Sequence, residues 1–206
     1  MKSKKPILIV IAGPNGSGKT SITSKILKHE WIENCEYVNP DNIANELFGD
    51  WNSREAILQA AQYSQNLREE CILNKKSLIF ETVLSAEDKI DFIFRARKEG
   101  FFIRVFFVGT DNPKINASRI VQRVIEGGHD VPISKIISRY SKSIANCAII
   151  SKIVDRMYVY DNSLEYKNPK LLFRSVNGKI KKKYHNLHEW SNSIFENLVH
   201  KLPSNN

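Results

Sequence analysis

Apolar residues recur along this chain in two alternating rhythms. Short, dense apolar runs at 7–12, 36–39, 77–81, 101–108 and 156–160 have the length and the β-branched and aromatic content of strands. A further run at 171–176 reads as an edge strand. Between these runs, apolar residues return every three or four positions, the period of a helix with one buried face. Ile57, Ala60, Ala61, Leu67 and Cys71 form such a stripe behind a capping Ser53. Ile133, Ile136, Ile137, Tyr140, Ile144 and Cys147 form another, with Pro132 in its first turn. Trp190, Ile194 and Leu198 mark a last helix over about 188–202. Ser85 followed by Asp88 resembles a capping box, and Gly100 suits the end of the helix it opens. Strands alternating with helices predict an α/β fold with a mostly parallel central sheet flanked by helices. The 206 residues suit one well-packed domain, 1–206, and are too few for two ordinary ones.

The first strand feeds into Gly13-Pro14-Asn15-Gly16-Ser17-Gly18-Lys19-Thr20, and a helical pattern with Ile22, Ile26 and Leu27 follows. Strand, glycine-rich loop and helix are the context in which G-x-x-x-x-G-K-[ST] signifies a phosphate-binding loop. Backbone N–H groups of such a loop form an anion nest, reinforced by the N-terminus of the helix behind it. Lys19 is then expected to reach the β- and γ-phosphates of ATP, and the Thr20 hydroxyl to bind Mg2+. The chain is read as a nucleotide-dependent P-loop kinase or a P-loop NTPase.

A kinase needs a carboxylate within reach of the attacking hydroxyl. Asp41 follows the short second strand, where ligands of open α/β sheets bind, and reads equally as that base or as the cap of a helix over 42–48. Glu81, a carboxylate ending an apolar run, fits acceptor hydroxyls, metal-bound water or a salt bridge. Arg119 and Arg123 lie on the polar face of a helical pattern, and Arg139 lies off the next apolar stripe. Such a face is ordinarily solvated. Flanking Gly127-Gly128-His129-Asp130, these arginines also suit a helical lid over about 113–150 that closes on a triphosphate. His129 reads as structural.

The net charge of +9 points to anionic partners without choosing among them. Its densest run, Lys179 to Lys183 with Ile180 inside, reads as a solvated segment rather than a nucleic-acid patch. It leads into the C-terminal helical segment at about 183–202. The three cysteines, Cys35, Cys71 and Cys147, share no metal-ligand spacing and are expected as thiols in a reducing compartment. No apolar run approaches the ~20 residues that span a bilayer. These features are read as cytoplasmic, with no membrane partner.

The loop with its preceding Ile11-Ala12 resembles that of zeta-toxin-type kinases. So do Asn39-Pro40-Asp41, Phe80-Glu81-Thr82, Gly127 to Pro132 leading to Arg139-Tyr140, and Tyr160-Asp161-Asn162-Ser163. The resemblance implies an ATP- and Mg2+-dependent kinase that phosphorylates a small-molecule acceptor, in studied members the sugar 3′-hydroxyl of UDP-N-acetylglucosamine, and is restrained by an antitoxin protein. It implies Asp41 as catalytic base, Lys19 and Thr20 as phosphate and metal contacts, and Glu81 with Thr82 as substrate-binding residues. Arg119, Arg123 and Arg139 fall in the region of the ATP-contacting lid arginines. Val83 and Ser85 stand where well-studied members carry Thr and Arg, which removes one clamp for a nucleotide-sugar pyrophosphate. The alternatives to a toxin kinase are a regulatory P-loop NTPase and a polynucleotide kinase.

Overall fold

The computed structural model describes residues 5–29, 32, 34–48, 53–128, 130–165 and 167–199. Strand β1 (Ile7–Ala12) is flanked on both sides by parallel neighbours, β3 (Leu78–Thr82) and β4 (Phe102–Gly109). This central position explains why Leu8 through Ala12 form an unbroken apolar run: both faces of the strand are covered. Leu8, Val10 and Ala12 join the larger core with Phe80, Phe92, Phe107, Cys147 and Trp190. Ile9 and Ile11 point the other way, toward Ile22 and Ile26 of α1 (Lys19–Ile26).

The seven-stranded sheet has the order β2-β3-β1-β4-β5-β6-β7. β2 (Glu36–Val38) and β5 (Arg156–Asp161) continue the parallel part, and β6 (Lys170–Val176) and β7 (Lys179–Lys183) are antiparallel additions. The chain passes from β1 to β2 on one side and then from β3 across β1 to β4 on the other, so the C-terminal end of β1 is a switch point of the kind at which open α/β sheets bind ligands. Helices α2 (Pro40–Phe48) and α3 (Arg54–Leu73) link β2 to β3, and α4 (Glu87–Lys98) links β3 to β4. The hairpin of α5 (Pro113–Ile125) and α6 (Ile133–Ser151) links β4 to β5, and α7 (Glu189–Val199) packs against α6 and β7.

Several local expectations change. β6 is not at the edge: the lysine-rich segment pairs with it as β7 and takes that place. Lysines on an outermost strand oppose pairing with a second sheet, so the run is compatible with a strand despite its charge. The helix after β3 is capped at Ala86 without a side-chain acceptor, so Ser85 and Asp88 form no capping box. Pro132 precedes α6 rather than lying within it. The apolar stripes are narrower than their spacing predicts, because Ile57, Ile133 and Ile137 are exposed while Ala60, Ile136, Tyr140, Ile144 and Cys147 are buried. Ser53 does cap α3, its hydroxyl accepting from the Ala56 N–H at 3.4 Å. The expected extension of the last helix to 202 lies outside the described residues.

Candidate active site

The segment after β1 turns sharply enough that two glycines are sterically required. At Gly16 (φ +72°) a Cβ would sit 2.5 Å from the Asn116 carbonyl oxygen, and at Gly18 (φ +88°) it would sit 2.1 Å from the Asn162 side-chain nitrogen. Gly18 is also the N-cap of α1. It supplies no capping side chain, and the first turn holds no acid, so the N-terminus is left for an external anion. The loop carbonyls are meanwhile engaged elsewhere. Lys19 Nζ donates to the oxygens of Gly13 at 2.9 Å and Pro14 at 3.1 Å. Asn116 Nδ2 donates to the Asn15 oxygen at 2.6 Å, and Asn162 Nδ2 to the Ser17 oxygen at 2.9 Å. With these oxygens held back, the loop keeps its N–H-lined character. Asn15 Oδ1 and Ser17 Oγ are buried in it without hydrogen-bond partners among the described residues.

Burial lowers the pKa of Lys19 from its ordinary value, while Glu81 and Asp41 oppose that shift and Arg123 adds to it. The four side chains are therefore within electrostatic reach of one another. Glu81 leaves β3 on the α1 side, and its Oε1 accepts from Tyr37 Oη at 2.7 Å and Thr23 Oγ1 at 2.8 Å. Its second oxygen has no hydrogen bond among the described residues. Tyr37 Oη in turn accepts from Asn39 Nδ2 at 3.1 Å, and desolvation together with Glu81 pushes the phenol pKa up. The phenol therefore stays a donor that orients the carboxylate.

Asn39 also resolves the capping question. Its Oδ1 accepts from the N–H groups of Asp41 at 3.0 Å and Asn42 at 3.3 Å, so Asn39 caps α2 and Asp41 lies in the first turn with an exposed carboxylate. Thr82 faces away from Glu81 along the strand, and its hydroxyl accepts from the Leu84 N–H at 2.9 Å. Arg119 donates to the Asn162 carbonyl at 2.8 Å, tying α5 to the loop after β5. Arg123 is exposed near Lys19, and Arg139 is half-exposed on α6 without a hydrogen bond or ion pair among the described residues. Thr20 is exposed at the start of α1. His129 lies outside the described residues.

The donor set fits a nucleotide triphosphate: uncapped helix N–H groups, one buried ammonium and nearby guanidinium groups. It also fits Mg2+. That ion is ordinarily held by few protein oxygens plus phosphates.

A profile of the Zeta toxin family matches residues 1–168. The chain belongs to that family. An uncharacterized protein of Haemophilus influenzae is 27% identical over 132 residues, 64% of this chain and 91% of its own length. Among solved structures, this zeta toxin family member is similar to a chain of the PezAT chromosomal toxin–antitoxin system of Streptococcus pneumoniae. That match has a TM-score of 0.61 and 16% identity, and covers 99% of this chain and 82% of that one. It is also similar to a chain of the AvrRxo1-ORF1:ORF2 structure with ATP, with a TM-score of 0.65 and 16% identity, covering 98% of this chain and 66% of that chain. At these identities the likeness is one of fold.

Sequence reasoning passed over three residues of the site. Tyr37 orients Glu81, and Asn116 and Asn162 hold the loop carbonyls. Asn116 precedes Arg119 by one helical turn and so shares its face, which was a usable signal. Asn162 stood inside a quoted motif without a role. Among the described residues, no helix is long and apolar enough to cross a membrane.

Proposed function

We propose that this protein is an ATP-dependent kinase of the zeta toxin type. In this reading the γ-phosphate passes to a hydroxyl of a small, anionic acceptor. The observation that carries it is the geometry at the start of α1: an uncapped helix N-terminus behind the glycine loop, Lys19 held on the loop carbonyls, and Glu81 fixed by Thr23 of the same helix and by Tyr37. Phosphate-binding groups with a carboxylate free to accept a hydroxyl proton are what phosphoryl transfer to an alcohol asks of a protein. Family membership and the fold shared with an ATP complex support it further.

Asp41 removes the proton as the acceptor oxygen bonds to the γ-phosphorus, the bond to the β-phosphate bridging oxygen breaks, and ADP leaves. Lys19 and the helix N-terminus bind the phosphates, with Thr20 on Mg2+, which when bound neutralises phosphate charge. Arg119, Arg123 and Arg139 belong to a lid over about 113–150 within a single kinase domain that includes the C-terminal helical segment. Glu81 orients the acceptor, and Thr82 supports the loop that follows it. UDP-N-acetylglucosamine is the first acceptor to try, since the family resemblance implies it. The PezAT relative belongs to a toxin–antitoxin system, so a protein antitoxin is the proposed partner, in the cytoplasm.

The test compares wild type with Lys19→Ala and Asp41→Asn. Lys19→Ala should weaken ATP binding by at least tenfold. Asp41→Asn should bind ATP normally and transfer less than about 1% as fast. Undiminished transfer by Asp41→Asn removes it from the role of base.

A further inference from the structure

The sheet face that carries Ile9 and Ile11 is covered by α1 over β1 and part of β4, but it continues onto β5, β6 and β7 without a helix packed on it among the described residues. The core cluster on this side draws its helical members, Ile22 and Ile26, from α1. Strand register places Phe102 and Arg104 of β4, Arg156 and Tyr158 of β5, Arg174 of β6 and Lys182 of β7 on this one face. Lys182 is exposed and the other five are half-buried. Arg104 lies directly across from Arg156, while Tyr158, Arg174 and Lys182 are successive cross-strand partners. No Asp or Glu occupies a paired position of this face on the four strands.

Like charges directly opposite one another on a sheet cost stability unless an anion lies among them. Here that arrangement is combined with aromatic rings. The Tyr158 ring stacks on Phe106 at 4.9 Å and 9°, the Arg104 guanidinium lies 5.7 Å over the Phe102 ring, and the Lys182 ammonium lies 4.9 Å over Tyr184. Arg174 supplies an independent sign of a missing partner: its Nε is buried with no hydrogen bond among the described residues. Arg156, Arg174 and Lys182 span two strand spacings, about 10 Å, room for more than one phosphate.

We propose that this face binds single-stranded nucleic acid. Phosphates would lie between Arg156, Arg174 and Lys182, and bases would pack on Phe102 and Tyr158. An acidic protein segment would match the cations but make less use of the rings, whereas every base has a π face. The overall charge of +9 favours the same class of ligand. The inference uses none of the loop residues and does not depend on the kinase reading.

The test is fluorescence anisotropy of end-labelled ~12-nucleotide oligouridylate and oligodeoxythymidylate with the full chain, over a range of salt. Binding of either should weaken steeply with salt, and the stronger of the two identifies RNA or DNA. Arg156→Gln/Arg174→Gln should lose at least about tenfold in affinity, Arg156→Lys/Arg174→Lys should lose far less, and Lys19→Ala should bind as wild type. Circular dichroism and melting of each variant separate lost binding from lost folding. Absence of binding overturns the proposal, as does a loss seen with Lys19→Ala but not with the arginine pair. Displacement by oligoglutamate as effective as by unlabelled oligonucleotide also overturns it, and reassigns the face to an acidic protein.

Discussion

The Lys19 ammonium is held by two loop carbonyls in a place where burial disfavours its charge. Bound phosphates favour the charged form, so nucleotide binding takes up a proton wherever the free protein has begun to lose it. Lys19 lies below its ordinary 10.5 in the free protein, so ATP affinity should fall as pH rises from neutrality toward about 10. Titration calorimetry in buffers of different ionisation enthalpy should show that uptake, and Lys19→Arg should abolish the pH dependence. Unchanged affinity across that range would remove Lys19 from the phosphates. Asn116 acts through the loop rather than on the ligand, because its amide restrains the Asn15 carbonyl. Asn116→Ala should raise the Kd for ATP by roughly three- to tenfold, the worth of one hydrogen bond of about 1 kcal/mol. Asn116→Asp, which keeps the size but loses the donor, should not restore binding.

At the scale of elements, α7 is fixed by a close approach that only a residue without a side chain allows. A Cβ at Gly109, the end of β4, would lie 2.4 Å from the Trp190 ring, which is buried and 6.0 Å from the Phe107 ring. Gly109→Ala should therefore cost about 1–3 kcal/mol, read as a lowered melting temperature, and Trp190→Phe in the same background should recover part of it. The main strands were legible because a strand buried on both faces must be apolar throughout, as Leu8 to Ala12 are. β7 was not legible: four lysines in five residues read as solvent, and only pairing with β6 makes them a strand. The α2 cap was misread for a related reason. Asp41 and Asn39 are both good caps by type, and spacing does not show which side chain turns back onto the helix. The glycine loop was fully legible, since its chemistry is carried by backbone conformation that the glycines announce. The Tyr37–Glu81 pair was not, since it joins residues far apart in sequence through strand pairing.

Over the whole molecule, the loop sits at the switch point of a sheet whose five parallel strands, β1 to β5, all end on its side, so ligand binding should stabilise the entire fold. At a hundredfold excess over Kd, ATP should add about 2.7 kcal/mol, which raises the melting temperature of a chain of this size by about 5–10 °C. Lys19→Ala should show about half of that shift or less at the same ATP concentration, whereas Arg156→Gln/Arg174→Gln should show all of it, because the basic sheet face is separate from the loop. The central claim is transfer of phosphate by a site in which Asp41 is the base. It is tested most directly by incubating the protein with γ-labelled ATP, Mg2+ and UDP-N-acetylglucosamine, alongside Asp41→Asn with matched ATP binding. The expected result is a labelled sugar nucleotide from wild type and none from the variant. Equal product from both, or failure of the wild type to bind ATP, would contradict the account.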